Sequence, residues 1–107
     1  MGVDLTLMVM DDTEPKWSVA YSTKMTRDYN DHDALGFGSA VHTTPLKFQP
    51  VPQEKYTGGD GYSDTLVYVP ARALREVVEK LSAYNRENVD YVLATTRSDQ
   101  PVIFFWS

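Results

Sequence analysis

Val102-Ile103-Phe104-Phe105-Trp106 is apolar at every position. Side chains alternate between the faces of a strand, so a strand built from this stretch is apolar on both. Such a strand is either central in its sheet and covered twice, or it lies at a protein contact. Ser98-Asp99-Gln100-Pro101, just before it, reads as a turn. Asp90-Tyr91-Val92-Leu93-Ala94-Thr95-Thr96 reads as the strand that enters this turn.

The other end of the chain alternates as well. Val3, Leu5, Leu7 and Val9 fall on one face of a strand over residues 3–10; Asp4, Thr6, Met8 and Met10 fall on the other. Asp11-Asp12-Thr13-Glu14-Pro15 is a hairpin loop by composition. Trp17, Val19 and Tyr21, alternating with Ser18, Ala20 and Ser22, predict a second strand antiparallel to the first. The first and last strands are the most apolar and are expected near the middle of the sheet. Trp17 and Trp106 are expected in the core or at its edge.

Between these ends, Thr65-Leu66-Val67-Tyr68-Val69 reads as a short strand. Pro70 suits the first position of a helix, where its missing N–H has no partner to lose. Leu74, Val77, Val78 and Leu81 follow at i, i+3, i+4 and i+7, with Arg72, Arg75, Glu76, Glu79 and Lys80 outward, which predicts a helix over 70–83. Asn30 or Asp31 is placed to cap a short helical turn that ends near Gly36. Residues 45–63, with Pro45, Pro50 and Pro52 ahead of Gly58, Gly59 and Gly61, read as a long irregular loop. The fold class that follows is α+β: a mostly antiparallel four- to five-stranded sheet with one main helix packed on one face. A length of 107 residues fits a single domain over 1–107.

Composition narrows the chemistry. The hydrophobic fraction of 42% fits a folded globule. The net charge is -5, and acidic surfaces repel phosphate, so neither nucleic acid nor an anionic membrane is an expected partner. A protein with a basic surface is. The absence of cysteine removes disulfides, thiolate zinc sites and cysteine nucleophiles, and fits a reducing cytoplasm. Asp4 interrupts the apolar start, and no apolar run approaches the roughly 18 residues that a spanning helix needs. A cytoplasmic location is therefore expected.

Four polar sets stand out. Asp28, Asp31, His32 and Asp33 combine carboxylates with an imidazole, the donors a divalent metal or a hydrolytic site would use, although the spacing matches no calcium loop. A solvated loop with capping aspartates is the plainer reading. His32 or His42 with Ser39, Ser63 or Thr43 supplies nucleophile and base types, but without a Gly-x-Ser-x-Gly elbow. Thr57-Gly58-Gly59-Asp60-Gly61 is glycine-rich but lacks the lysine of a phosphate loop. Tyr29, Tyr56 and Tyr62 belong to a set of seven tyrosines; beside flexible glycine such rings build protein-binding surfaces at low entropic cost. No cofactor is implied.

The opening Met1-Gly2-Val3-Asp4-Leu5-Thr6 resembles a group of small uncharacterised phage and bacterial proteins that typically begin Met-Gly-Cys-Asp-Ile-His. Arg27-Asp28-Tyr29-Asn30, Ser63-Asp64-Thr65-Leu66 and the apolar last strand are similar to further stretches of that group, in the same order. Val3 and Thr6 replace its cysteine and histidine, so no thiol or metal chemistry carries over. The resemblance implies a phage or prophage accessory protein of the bacterial cytoplasm.

The functional expectation is a non-enzymatic accessory protein that binds a bacterial host protein and modulates or inhibits it. Asp28, Tyr29, Asp31, Asp33, Tyr56 and Tyr62 are its expected contacts. Mimicry of DNA by carboxylates is a sharper version, but fifteen acidic residues against ten basic ones give it a thin excess. The alternatives are a small metal-dependent or hydrolytic enzyme using the Asp28–Asp33 cluster, and a self-assembling protein that dimerises through its last strand.

Overall fold

A computed structural model of the chain describes residues 4–13, 17–36, 49–51, 59–61 and 66–107. Its strands are β1 (Leu5–Asp11), β2 (Ser18–Lys24), β3 (Gln49–Pro50), β4 (Val67–Pro70) and β5 (Pro101–Trp106). They form one sheet in the order β2-β1-β5-β4-β3, and every pairing is antiparallel. The helices are α1 (Tyr29–Ala34) and α2 (Ala83–Thr95). The α+β class, the antiparallel sheet and the single main helix agree with the sequence reading.

The central position of β5 follows from its composition. Val102, Phe104 and Trp106 face the helices and join Leu5, Leu7 and Val9 of β1, Val69 of β4, and Leu74, Val77, Leu81, Val89 and Val92 in the main core. Ile103 faces the opposite side, where Met10, Trp17, Val51 and Leu66 form a second, smaller core. Tyr68 lies against that core, its ring edge-on to Trp17 at 5.1 Å. Pairing with β1 on one side and β4 on the other leaves β5 no open edge. Dimerisation through the last strand is thereby corrected: the apolar second face is covered from within the chain.

The predicted helix over 70–83 is instead two 3-10 segments, Ala71–Glu76 and Val78–Lys80. The first N–H groups are taken by the turn before β5: Ala71 donates to Gln100 O at 2.9 Å and Arg72 to Ser98 O at 2.9 Å. Three residues per turn place Ala71, Leu74 and Val77 on one side, and all three are buried. The α-helical and 3-10 periods share positions 74 and 77, so the inward residues were right and the winding was not.

The predicted strand over 90–96 is the second half of α2. Asn85, Val89 and Val92 are buried at i, i+4 and i+7. Thr95 and Thr96 turn their hydroxyls back to Tyr91 O at 2.8 Å and Val92 O at 2.6 Å, which seats β-branched residues in a helix. The main helix is therefore α2.

The cap of α1 is Asp28, whose Oδ1 accepts the Asp31 N–H at 3.1 Å; neither Asn30 nor Asp31 fills that role. Gly36, at a φ of 100°, follows the helix as expected of a glycine there. Within the segment read as irregular, Gln49–Pro50 pairs with β4 as β3. Gly61 approaches β5 closely: its N–H donates to Trp106 O at 2.8 Å, and Asp60 Oδ2 accepts the Trp106 N–H at 3.2 Å. Residues 45–48, 52–58 and 62–63 lie outside the described residues.

Candidate functional site

The Asp28–Asp33 segment leads directly into the interior. Asp31 is 2% exposed. The Ser82 N–H reaches both of its oxygens at 3.0 Å, the Ser82 hydroxyl reaches Oδ2 at 2.5 Å, and Asn85 Nδ2 reaches Oδ2 at 2.7 Å. Ser82 is the residue that precedes α2. A carboxylate from α1 thus satisfies an amide left over at the start of α2, and negative charge there also suits the helix dipole.

Asn85 extends the network. Its Oδ1 accepts the Thr26 N–H at 2.8 Å and the Thr26 hydroxyl at 3.1 Å, and its Nδ2 donates to Thr26 O at 3.1 Å. Asn85 is fully buried, and its amide uses both donor and acceptor capacity. The sequence reading missed this residue. The signal was present as a polar amide one helical turn before Val89, on the inward face of α2.

His32 is also buried, its ring edge-on to Trp106 at 5.4 Å. Among the described residues its Nε2 has no hydrogen-bond partner. Burial pushes its pKa below the ordinary 6.5, although Asp31, Asp28, Asp4 and Asp33 pull the other way. Asp4 sits beside the segment, bound by Arg27 at 2.6 and 3.2 Å and approached by Lys24 at 3.4 Å. The Arg27 hydrogen bonds lead in lowering the Asp4 pKa to about 2.

Asp33 is buried, Asp28 is half-buried as a cap, and Tyr29 is 74% exposed. Burial removes Asp31 and Asp33 from the expected contact surface and corrects that part of the assignment. Among the described residues, no three His, Asp or Glu side chains converge as a metal-ligand set. The Ser82 hydroxyl donates to a carboxylate rather than to an imidazole. Tyr56, Tyr62, His42, Ser39, Ser63 and Thr43 lie outside the described residues.

A second surface was not read from the sequence. Tyr84, in the first turn of α2, is 55% exposed, and Tyr91, on the same flank, is 60% exposed. Tyr91 meets the Tyr21 ring edge-on at 5.9 Å. Reading 90–96 as a strand hid the spacing of these tyrosines, which only a helix brings to one flank.

No protein-family model matches the chain, and no curated protein or solved structure matches it either. No helix among the described residues is long and apolar enough to cross a membrane.

Proposed function

We propose that this chain is a non-enzymatic accessory protein that acts by binding another protein, at the joined N-terminal ends of α1 and α2. The observation that carries the reading is the exposure of Tyr29 and Tyr84, 74% and 55%, in the first turns of two helices fastened together by Asp31 and Ser82. Tyrosine presents a large rigid contact area with little rotamer entropy to lose. The Asp31 network fixes the backbone beneath both rings, so little ordering cost remains at binding. The acidic segment serves this surface from below. Of its carboxylates, Asp28 stays near the surface, where it favours a basic partner.

The narrower reading is a phage-type factor that attaches to a bacterial host protein in the cytoplasm and modulates it. It rests on the resemblance of the opening, of residues 27–30 and 63–66, and of the last strand. The test is affinity capture from nuclease-treated bacterial lysate, repeated with the captured protein once purified. The parent chain is expected to retain one protein that the Tyr29→Ala/Tyr84→Ala variant loses. Equal binding of that purified protein by both chains would overturn the assignment.

A further inference from the structure

Strand β2 is an outer strand of the sheet, and among the described residues no strand lies beyond it. Its residues Ser18–Lys24 include no acidic side chain and no proline, and Val19 is 44% exposed. The opposite edge, β3, is two residues long. Among the described residues, the sheet therefore has one long outer strand and one short one. Unpaired backbone groups along a strand are best satisfied by another extended strand.

The register of β2 on β1 fixes which groups are open. Met25 donates to Leu5 O at 2.9 Å, and the pairs Leu7↔Thr23 and Val9↔Tyr21 follow in step. By the alternation of an antiparallel ladder, the backbone groups of Tyr21 and Thr23 turn inward to β1, and those of Ser22 and Lys24 turn outward. Beyond Tyr21 the register slips, because Met10 pairs with Val19 and leaves Ala20 as an extra residue. The usable outer ladder centres on Ser22.

We propose that two copies of this chain pair through β2, antiparallel, with Ser22 on the two-fold axis. In this register Tyr21 faces Thr23 of the second copy, and Lys24 stands beside the irregularity at its Ala20. The two Lys24 side chains stand about 14 Å apart along the strands, so no like charges are opposed. Centring on Lys24 would oppose the lysines directly, and centring on Ala20 would run across the irregularity in both directions. A symmetric contact uses the long edge of both copies and closes, whereas β2 on β3 would match unequal strands.

The helix layer fits the same axis. Tyr21 Oη lies 2.7 Å from Thr95 Oγ1, and the Thr23 hydroxyl donates to Asn88 Oδ1 at 2.9 Å, so α2 runs antiparallel to β2 and close beside it. Tyr91 lies on α2 between those bonds and is 60% exposed. The axis at Ser22 brings the Tyr91 rings of the two copies toward each other above the joined sheets, where each covers the other. The pairing is independent of the partner surface at Tyr29 and Tyr84.

The chain has no cysteine, so one introduced thiol is a unique reporter. Paired residues in this kind of ladder position have Cα atoms about 5.5 Å apart, within disulfide range. Ser22→Cys, under mild oxidation, is expected to give a covalent dimer at least about tenfold faster than Ser98→Cys, an exposed position in the turn before β5. Light scattering of the parent chain is expected to show a dimer that weakens on dilution, and Tyr91→Ala to weaken it further by about tenfold. A parent that stays monomeric at every concentration, or equal cross-linking at positions 22 and 98, would overturn the proposal. Loss of partner capture in the Tyr29/Tyr84 variant with the dimer intact would leave it standing.

Discussion

Asp31 and Ser82 are 51 residues apart in the chain, and the carboxylate of one holds the amide and hydroxyl of the other at 3.0 and 2.5 Å. The contact links two helices through a single buried charge. Its donors are uncharged, and each would lose a hydrogen bond in the interior if the carboxylate were removed. Removing one side of a buried bond costs more than the bond itself contributes, because the remaining groups stay dehydrated.

Asp31→Ala is accordingly expected to lower stability by about 3 kcal/mol, since it strands the Ser82 amide, the Ser82 hydroxyl and Asn85 Nδ2. Asp28→Ala removes only the cap of α1 and is expected to cost about 1 kcal/mol. Urea unfolding of both variants gives the comparison, with the slope unchanged and the midpoint shifted. Equal midpoints would mean that the network contributes no more than an ordinary cap.

Phe104 and Phe105 are neighbours in sequence on opposite faces of β5, and only Phe104 is fully buried. Phe104→Ala opens a cavity in the main core and is expected to cost about 4 kcal/mol. Phe105 lies half-buried against the smaller core, so Phe105→Ala is expected to cost less than about half of that. The same urea measurement decides it. A larger loss at 105 than at 104 would mean that the second core carries more of the stability than its size suggests.

The sheet was legible because strand alternation survives folding. The inward residues Leu5, Leu7 and Val9 and the double-faced apolar run of β5 need only period two to be seen. The helical half was less legible for two physical reasons. Over 70–81 the α and 3-10 periods coincide at Leu74 and Val77, and only the bonds from Ala71 and Arg72 to the preceding turn of β5 separate them. Over 90–96 the aromatic and β-branched residues favour a strand locally, and burial of Val89 and Val92 overrides that preference. The site was half legible. The Asp28–Asp33 cluster was visible as a cluster, but its inward direction depends on Ser82 and Asn85, which no local pattern connects to it.

Gly61 tests the close approach at the end of β5. A Cβ on this residue would lie 3.2 Å from Trp106 O and 3.2 Å from Ser107 Cα. Both are backbone atoms, and Ser107 is held from the other side by its exchange of bonds with Asp4 at 2.8 and 2.9 Å. The strand end cannot yield easily, so Gly61→Ala is expected to destabilise by about 1 kcal/mol. An unchanged unfolding midpoint would show that the 59–61 segment moves aside at no cost.

His32 gives the fold a dependence on pH whose sign can be worked out. Its folded-state pKa lies below 6.5 because burial against Trp106 outweighs the pull of Asp31, Asp28, Asp4 and Asp33. The unfolded chain therefore takes up a proton near pH 6.5 that the folded chain still refuses. The stability from neutral His32 is complete above that pH and is lost as the pH falls below it, until the folded-state pKa is passed. Asp4 acts in a separate window, since its contribution is lost only between the ordinary 3.8 and about 2. Urea midpoints are expected to fall between about pH 7.5 and about pH 5.5 in the parent and to change much less in His32→Leu. The loss below 3.8 is expected to persist in His32→Leu and to shrink in Asp4→Asn. A parent midpoint that does not move over the upper window would mean that the buried imidazole finds a hydrogen-bond acceptor on charging, and that α1 adjusts to supply it.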